Sequence, residues 1–397
     1  MLVQFMLKNV LSFKEETVLD MTAINAYKEH ESNTIENGTN EKFLHVAAIY
    51  GANASGKSNL CLAMEYFQNI VMESLNNVNN SDITAIEKYY EPFKFEEKKE
   101  NSEFQIFEIV GDYEYQYGFE YNDKYIVTEW LYRKNLKTNR WITIFERTKK
   151  SVEFGPIVRK ECDIYKNQIP TETLVLSFFN KLKMKTNVYF EVYSSIMDTL
   201  VIPAEVCEDT ELLKKYLPEV IDKDKKKLVR FLSAIDTGIE DIRYDDSQKD
   251  IQFYTIHTGK DNKEYLLNLF YESEGTIKSI MLFIYARIAI VSNKSMFVDE
   301  LNVKLHPLLL KFIVDLFYDK NSEAQLIYTT HDTTLMDKKF FRRDQIWFVQ
   351  KDKFGYSELV ALSDFKVRSD ASFEKDYLSG VYGGIPELVE FGLRGDA

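Results

Sequence analysis

Apolar and polar residues alternate over residues 1–25, where Val3, Phe5 and Leu7 occupy every second position. This period of two predicts β-strands. The run 43–50 is apolar and ends abruptly at a glycine, as buried parallel strands do. Helical spacing of apolar residues over 59–75 then predicts a strand followed directly by a helix.

The pattern changes along the rest of the chain. Residues 89–154 form short aromatic and β-branched segments separated by turn sequences, which predicts an antiparallel meander. Residues 162–235 have helical spacing. Further strands are predicted at 251–256 and 265–270. From residue 277 onward helices and strands alternate, with strands at 295–298, 324–328 and 345–350, which is typical of a parallel α/β sheet.

These patterns predict an α/β protein in three segments. Residues 1–155 would be an N-terminal lobe with the meander, and residues 156–245 a helical insertion. Residues 246–397 would be a C-terminal lobe. No sustained heptad repeat is visible in the insertion, so we expect a compact cap or partner-docking module rather than a coiled-coil arm.

Composition places the chain among ordinary globular proteins. Of its 397 residues, 45% are apolar and 28% charged. The three cysteines, Cys61, Cys162 and Cys207, make no CxxC pair and have no histidine at ligand spacing, which excludes a disulfide scaffold and a zinc ribbon. The longest apolar stretch, 280–291, is short of the ~20 residues needed to cross a bilayer. We therefore expect a soluble cytoplasmic protein without a membrane contact.

The net charge of −13 argues against a surface built for nucleic acid. The strongest basic cluster is the run KDKKKLVR at 223–230. A solvated helix face is the simpler interpretation of this run, and a contact with nucleic acid or a partner is the alternative.

A complete phosphate-binding motif, GxxxxGK[ST], follows the predicted strand and opens the predicted helix. Its glycines let backbone N–H groups surround phosphate oxygens at a helix N-terminus. Lys57 can reach the β- and γ-phosphates, and the Ser58 hydroxyl can bind Mg²⁺. The predicted nucleotide-binding residues here are Gly51, Ala52, Asn53, Ala54, Ser55, Gly56, Lys57, Ser58 and Asn59.

Acidic residues and a histidine follow the next predicted strands. Asp299, at the end of an apolar strand, is predicted to bind Mg²⁺, and Glu300 to orient or deprotonate the attacking water. His331 ends the following strand, where it could hydrogen-bond the γ-phosphate and that water. Lys57, Glu300 and His331 are the predicted catalytic residues. The alternatives are loop-capping acids and a structural histidine.

A second anion-binding segment, residues 273–276, precedes a long apolar helix. Ser273, Gly275 and Thr276 combine a hydroxyl with backbone amides at a helix N-terminus. A simple N-cap is the alternative. Because this segment lies about 215 residues after the first motif, it would be useful for closing over a nucleotide held by another copy of the chain.

These motifs, in this order, resemble those of ABC-type ATPase heads of the RecF, SMC and OLD branch, which also have an Asn and a Ser-Phe in the first strand region, here NVLSFK. The strings GANASGKSN, EPFKFEE, SEGTIKSI, FVDELNVKLHPLLL, YTTHDTTLMD and LSDFKVRSDASFEKDYLSGVYGGIP resemble the RloA and AbiLi kind of prokaryotic AAA family ATPase more closely.

The resemblance implies an ABC-type P-loop NTPase head that binds ATP and Mg²⁺, with its site shared between two copies of the chain. Ser273, Gly275 and Thr276 of one copy would complete the site of the other, in a homodimer or a larger even-numbered assembly. Two positions depart from relatives: Asn302 replaces an Asp, and Val381 replaces an Arg in the tail.

The resemblance also implies a role in phage defence by abortive infection. The ATPase would sense a phage-derived trigger and control a separate Toprim-like nuclease of the RloB kind. The alternative is a RecF-like repair ATPase that binds DNA. A membrane transporter subunit is disfavoured, because such heads lack the meander and cap.

Overall fold

The computed structural model describes residues 1–38, 40–75, 83–182, 184–204, 210–234, 238–247, 250–368 and 371–385; Cys207 lies outside them. The strands within these residues are β1 (Leu2–Lys8), β2 (Thr17–Asp20), β3 (Thr34–Glu36), β4 (Lys42–Leu44), β5 (Val46–Tyr50), β6 (Ser102–Val110), β7 (Tyr113–Tyr121), β8 (Ile126–Asn135), β9 (Arg140–Thr148), β10 (Ser151–Phe154), β11 (Leu200–Ile202), β12 (Asp241–Asp245), β13 (Gln252–Thr258), β14 (Glu264–Asn268), β15 (Ser295–Val298), β16 (Gln325–Thr329), β17 (Ile346–Lys351) and β18 (Ser357–Ala361). The helices are α1 (Lys57–Glu73), α2 (Ala85–Lys88), α3 (Arg159–Cys162), α4 (Val175–Lys181), α5 (Val188–Asp198), α6 (Thr210–Ala234), α7 (Glu274–Ser292), α8 (Pro307–Leu316) and α9 (Phe373–Leu378).

A six-stranded sheet in the order β11-β15-β16-β5-β17-β18 forms the centre of the molecule. All neighbours are parallel except the β17–β18 pair. β5 is buried at all five positions, because both faces of the sheet are covered. The carboxyl ends of β15, β16 and β5 meet at one edge, the edge at which parallel α/β sheets bind ligands.

A seven-stranded antiparallel sheet in the order β10-β9-β8-β7-β6-β1-β2 forms the second layer. Helix α1 lies between the two sheets. Its apolar side chains share one hydrophobic core with side chains of both sheets. The ring of Phe67 stacks on that of Phe119 of β7, with the ring centroids 5.8 Å apart, and lies 5.9 Å from the ring of Phe5 of β1. Trp347 and Val349 of β17 belong to the same core.

Helices α6, α7 and α8 cover the other face of the central sheet. A second core contains side chains of these helices together with Val46, Ala48 and Tyr50 of β5. Asp224 of α6 forms an ion pair with Arg287 of α7, which joins the two helices. The alternation of β5 side chains between the two cores follows from the period of two along a strand.

The predicted fold class, an α/β P-loop NTPase head with an antiparallel meander, is confirmed. The strand that precedes the phosphate-binding motif, the helix after it, the meander and the later alternation of strands and helices all form. The helical prediction for 162–235 missed β11, which pairs with β15 in the central sheet. The helix that the alternating pattern predicts between the strands at 324–328 and 345–350 is wrong, since short 3₁₀ turns lie there. The limits of the three predicted segments remain a prediction.

Among the described residues, helix α7 is long enough and apolar enough to cross a bilayer. However, 56% of its apolar stretch is buried inside the protein. Core helices of globular proteins pass the same test, so this helix is weak evidence for a membrane segment.

Candidate functional site

The phosphate-binding loop (P-loop) joins β5 to α1, and close backbone packing explains its two glycines. A Cβ atom on Gly56 would lie 2.4 Å from Oγ of Ser357 and 2.7 Å from Oγ of Ser12. Gly56 also has a φ of 111°, which favours glycine. A Cβ atom on Gly51 would lie 2.6 Å from the carbonyl oxygen of Val349. A side chain at either position would therefore force the neighbouring residues or the loop backbone to shift.

Lys57 is buried at the start of α1 and folds back over the loop. Its Nζ donates to the carbonyl oxygens of Gly51 at 2.8 Å and Ala52 at 2.9 Å. Burial lowers the pKa of this ammonium group, and the nearby carboxylates of Glu300 and Asp299 only partly offset that effect. Lys57, Glu300 and Asp299 therefore lie close enough to influence one another electrostatically, and their joint role in a reaction remains a prediction.

The first turn of α1 is suited to an anion. No side chain caps this helix end, so its backbone N–H groups face the loop. Ser58 is exposed, and the buried Ser55 hydroxyl has no hydrogen-bond partner among the described residues. Asn59, by contrast, donates through Nδ2 to Oγ of Ser12 at 2.8 Å. These features fit a bound phosphate chain.

One threonine organises the two acids that follow β15. Thr329, at the end of β16, donates through Oγ1 to Oδ1 of Asp299 at 2.6 Å. Oγ1 of Thr329 also accepts a hydrogen bond from the backbone N–H of Glu300 at 2.8 Å. Glu300 has a φ of 47°, a left-handed conformation that costs energy for a residue with a side chain. Thr329 stands in the string YTTHDTTLMD, and no local pattern there predicts this role.

No group of three or more His, Cys, Asp or Glu side chains in the described ranges could hold a metal by itself. A Mg²⁺ site of the nucleotide-dependent kind combines one or two protein oxygens with phosphate and water oxygens. The predicted ligands Ser58 and Asp299 are of the right chemical type, and their joint action remains a prediction.

His331 lies at the end of β16 with an exposed side chain. The amide nitrogen of Asn302 lies 3.2 Å from its Nε2, and Oδ1 of Asn302 accepts from Oγ1 of Thr330 at 2.8 Å. The backbone N–H of Thr330 donates to the carbonyl of Ile49 in β5. Asn302, noted in the sequence as a departure, thus connects the histidine to the P-loop strand.

The segment 273–276 begins α7. Ser273 is the N-cap: its Oγ accepts the backbone N–H of Thr276 at 3.1 Å. A Cβ atom on Gly275 would lie 2.7 Å from the carbonyl oxygen of Lys304. Lys304 also forms an ion pair with Glu274 at 3.0 Å. The N-cap alternative is therefore observed, and the predicted contact of the exposed Ser273 with a nucleotide remains a prediction.

Lys278 connects this segment to the acids, and sequence reasoning missed it. The side chain is fully buried in α7, and Nζ donates to the carbonyl oxygen of Glu300 at 3.1 Å. The only sequence feature that could have indicated Lys278 is the presence of a lysine within a helix that is otherwise mostly apolar. Helix α7 therefore contacts the backbone of the predicted catalytic acid directly.

The C-terminal tail packs against the P-loop. A Cβ atom on Gly384 would lie 3.8 Å from Cα of Gly51, and Gln350 of β17 donates to the carbonyl of Tyr382. Val381, the second departure, is exposed. The described tail residues near Tyr382 and Gly384 thus form part of the wall beside the loop.

The basic run 223–230 lies on α6. Lys223 pairs with Glu219, Lys225 with Asp241 and Lys227 with Asp224. These pairs favour the solvated helix face over a surface for nucleic acid.

Comparison with known proteins identifies the family. A profile of the family described as "AAA domain, putative AbiEii toxin, Type IV TA system" matches residues 46–163 and 208–337, more than half of the chain. The chain belongs to this AAA-domain family. The match contains every predicted site residue. Together with the order of the motifs along the chain, this match identifies an ABC-like ATPase of the RecF, SMC and OLD type.

Two solved structures are similar to this family member at low sequence identity. One is an SMC head bound to the C-winged helix domain of ScpA, at 14% identity, covering 94% of this chain and 99% of that one, with a TM-score of 0.43. The other is the SMC head domain from Thermotoga maritima, at 12% identity, covering 91% and 98%, with a TM-score of 0.41. The search of curated proteins gave no match.

Proposed function

We propose that this chain binds and hydrolyses ATP with Mg²⁺, and that two copies share each ATP between the P-loop of one and segment 273–276 of the other. The observation that carries the proposal is the arrangement at the sheet edge. The P-loop follows β5, while Thr329 on the adjacent β16 orders both Asp299 and Glu300.

Each of these residues has a distinct task in the proposed reaction. Backbone N–H groups of the P-loop and Lys57 bind the phosphates, and Ser58 and Asp299 hold Mg²⁺. The metal ion supplies charge neutralisation at the phosphate oxygens. Glu300 accepts a proton from the attacking water. His331, positioned by Asn302, donates a hydrogen bond at the γ-phosphate.

The composite site is supported by exposed groups around α7. Ser273 and Glu274 are exposed, although they begin a buried helix. Tyr271 is 80% exposed and Leu308, at the start of α8, is 73% exposed. Both side chains offer apolar area for a contact with a second copy. A second copy of the chain is the partner that would bring a P-loop to Ser273.

The proposed biological role is control of a separate effector in anti-phage defence, in the cytoplasm. The support is family membership, since the family description names a toxin–antitoxin system. A Toprim-like nuclease remains the proposed effector and a phage product the proposed trigger. Copurification with a companion protein of the nuclease class tests this step separately from ATP hydrolysis.

Mixing two inactive variants tests the shared site. Lys57→Ala damages the P-loop half and Ser273→Arg the other half. A mixed dimer then has one site with both halves intact and one with both damaged. Because random mixing makes half of the dimers mixed, we expect an equal mixture to recover about a quarter of the wild-type ATPase rate, measured by phosphate release.

A matched mixture controls this result. Lys57 and Glu300 lie in the same half, so Lys57→Ala mixed with Glu300→Gln leaves a damaged half in every site. That mixture should stay inactive. Recovery in both mixtures, or in neither, would contradict a site shared between copies.

Lys278 gives a second prediction. Lys278→Met keeps most of the apolar stem and removes the ammonium donor from the Glu300 carbonyl. Because a hydrogen bond from a charged donor is lost, we expect kcat for ATP hydrolysis to fall about tenfold or more with little change in ATP affinity. Lys311→Met on α8 is the matched control and should keep the wild-type rate. An equal loss of affinity would instead indicate a general structural role.

The RecF-like alternative requires a basic surface for DNA. The ion pairs of α6 and the net charge of −13 offer it no support. Salt-sensitive binding of duplex DNA by the purified chain would favour it.

A further inference from the structure

A polar cavity of about 600 Å³ lies at the edge of the central sheet opposite the P-loop. His45, directly before β5, lines this cavity, and so does Glu323, shortly before β16. The two strands are parallel neighbours, so their amino ends meet at this edge. Asn293, which caps the C-terminal end of α7, is a further wall. The volume falls within the roughly 300–1,000 Å³ of small-molecule sites.

His45 is buried, and only one of its two ring nitrogens has a partner. The residue is 2% exposed, and its Nδ1 lies 3.1 Å from the carbonyl oxygen of Ala324. A carbonyl oxygen can only accept, so Nδ1 carries the hydrogen. Burial lowers the pKa of the imidazole, and the Ala324 carbonyl and Asp319 only partly offset that effect, so the ring is neutral near pH 7. Nε2 therefore has an unused lone pair, to which no described residue donates.

The walls of this cavity carry more negative than positive charge. They include the carboxylates of Glu31, Glu36 and Glu323 and one ammonium group, that of Lys320. Glu36 forms an ion pair with Lys42 at 2.7 Å, whereas Glu31 and Glu323 form no ion pair with another described residue. The last turn of α7 contains no basic residue, so the negative end of its helix dipole adds to the field. The cavity therefore favours a positively charged occupant.

The chemistry of these walls distinguishes between a metal ion and an organic cation. The described residues contain no group of three or more His, Cys, Asp or Glu side chains that could hold a metal ion. The lone pair of a neutral imidazole suits an N–H donor, and carboxylates suit the positive charge of that donor. We propose that this cavity binds a small organic cation whose ammonium group donates to Nε2 of His45, with Glu31 and Glu323 balancing its charge. This site goes beyond the proposed ATPase function, from which the central sheet separates it.

The diamine putrescine is the probe, and butanediol, which has the same carbon chain without charge, is its neutral counterpart. We expect titration calorimetry to give a dissociation constant below about 1 mM for putrescine and no binding of the diol. His45→Phe keeps a ring beside Tyr318 and removes the acceptor, so it should weaken putrescine binding roughly 10- to 100-fold. Glu323→Gln changes an exposed side chain, so it should leave the fold intact and weaken binding up to about fivefold.

Two controls separate this cavity from the nucleotide site. Glu358→Gln, at an exposed position of β18, should bind putrescine as wild type does, and so should Lys57→Ala, because the P-loop lies at the other edge of the sheet. Loss of putrescine binding in Lys57→Ala would place the diamine in the nucleotide site and overturn the inference.

Three other results would also overturn the cation site: no binding of putrescine by the wild-type chain, equal binding of the diol, or binding of Mn²⁺ in place of the diamine. Unchanged putrescine affinity in the cavity variants would do the same, and Glu323→Gln decides this point if circular dichroism shows that His45→Phe does not fold. Failure of the wild-type chain to bind ATP, with putrescine binding intact, would overturn the proposed function and leave the cation site standing.

Discussion

Glu300→Gln should lower ATP hydrolysis by roughly 10²- to 10⁴-fold, the range lost when a general base is removed. ATP binding should persist, because the substitution leaves Lys57, Ser58 and the loop backbone unchanged. The amide keeps the size of the carboxylate and cannot accept the proton of the attacking water. Phosphate release and ATP affinity, measured on the same preparation, check both parts of this prediction.

The same variant should also accumulate as an ATP-bound dimer. If ATP joins two copies and hydrolysis separates them, blocked hydrolysis leaves the joined state populated. Light scattering with and without ATP and Mg²⁺ measures this. Glu358→Gln, an exposed glutamate on β18, is the matched control and should behave as wild type. Unchanged hydrolysis in the Glu300 variant would remove that residue from its proposed role.

Glu129→Ala should cause the largest loss of stability among the substitutions considered, roughly 3–5 kcal/mol of unfolding free energy. Glu129 and Arg147 form a buried ion pair at 3.5 Å between β8 and β9. Glu129 also accepts the backbone N–H groups of Val175 at 2.8 Å and Leu176 at 3.1 Å, at the start of α4. The alanine leaves a buried guanidinium and an uncapped helix end. The midpoint of urea unfolding measures the loss.

The burial of Glu129 explains the size of this effect. Burial raises the pKa of its carboxyl group, although Arg147 and the two backbone donors act in the opposite direction. Glu153→Ala, on the exposed face of β10 in the same sheet, should change stability by no more than about 0.5 kcal/mol. Similar midpoints for the two variants would show that the ion pair contributes little to the fold.

Local sequence was sufficient for the elements that carry the chemistry. An apolar run before the P-loop and helical spacing after it predicted β5 and α1, because burial on both faces of a strand and on one side of a helix leaves distinct periods. The meander was equally clear, since its aromatic residues alternate with polar ones. β11 was missed because three residues are too few to show a period within a helical region.

The positions of the candidate site residues at one edge of the sheet could be predicted in part for the same reason. The P-loop, Asp299, Glu300 and His331 stand directly after strands, so their common edge followed from the parallel sheet. Thr329 and Lys278 gave no comparable signal. The hydroxyl of Thr329 becomes important only because β15 and β16 are neighbours in the sheet. Lys278 acquires its contact only when α7 packs beside the end of β15.

The sequence by itself determined the fold class, the phosphate-binding loop and the acidic strand end, because each is a local pattern whose residues are close along the chain. Tertiary structure alone decided which side chains orient the acids and which residues pack against the P-loop. Those contacts join residues up to about 345 positions apart, as Ser12 and Ser357 do. Their chemistry depends on how sheets and helices pack, and no local pattern records that packing.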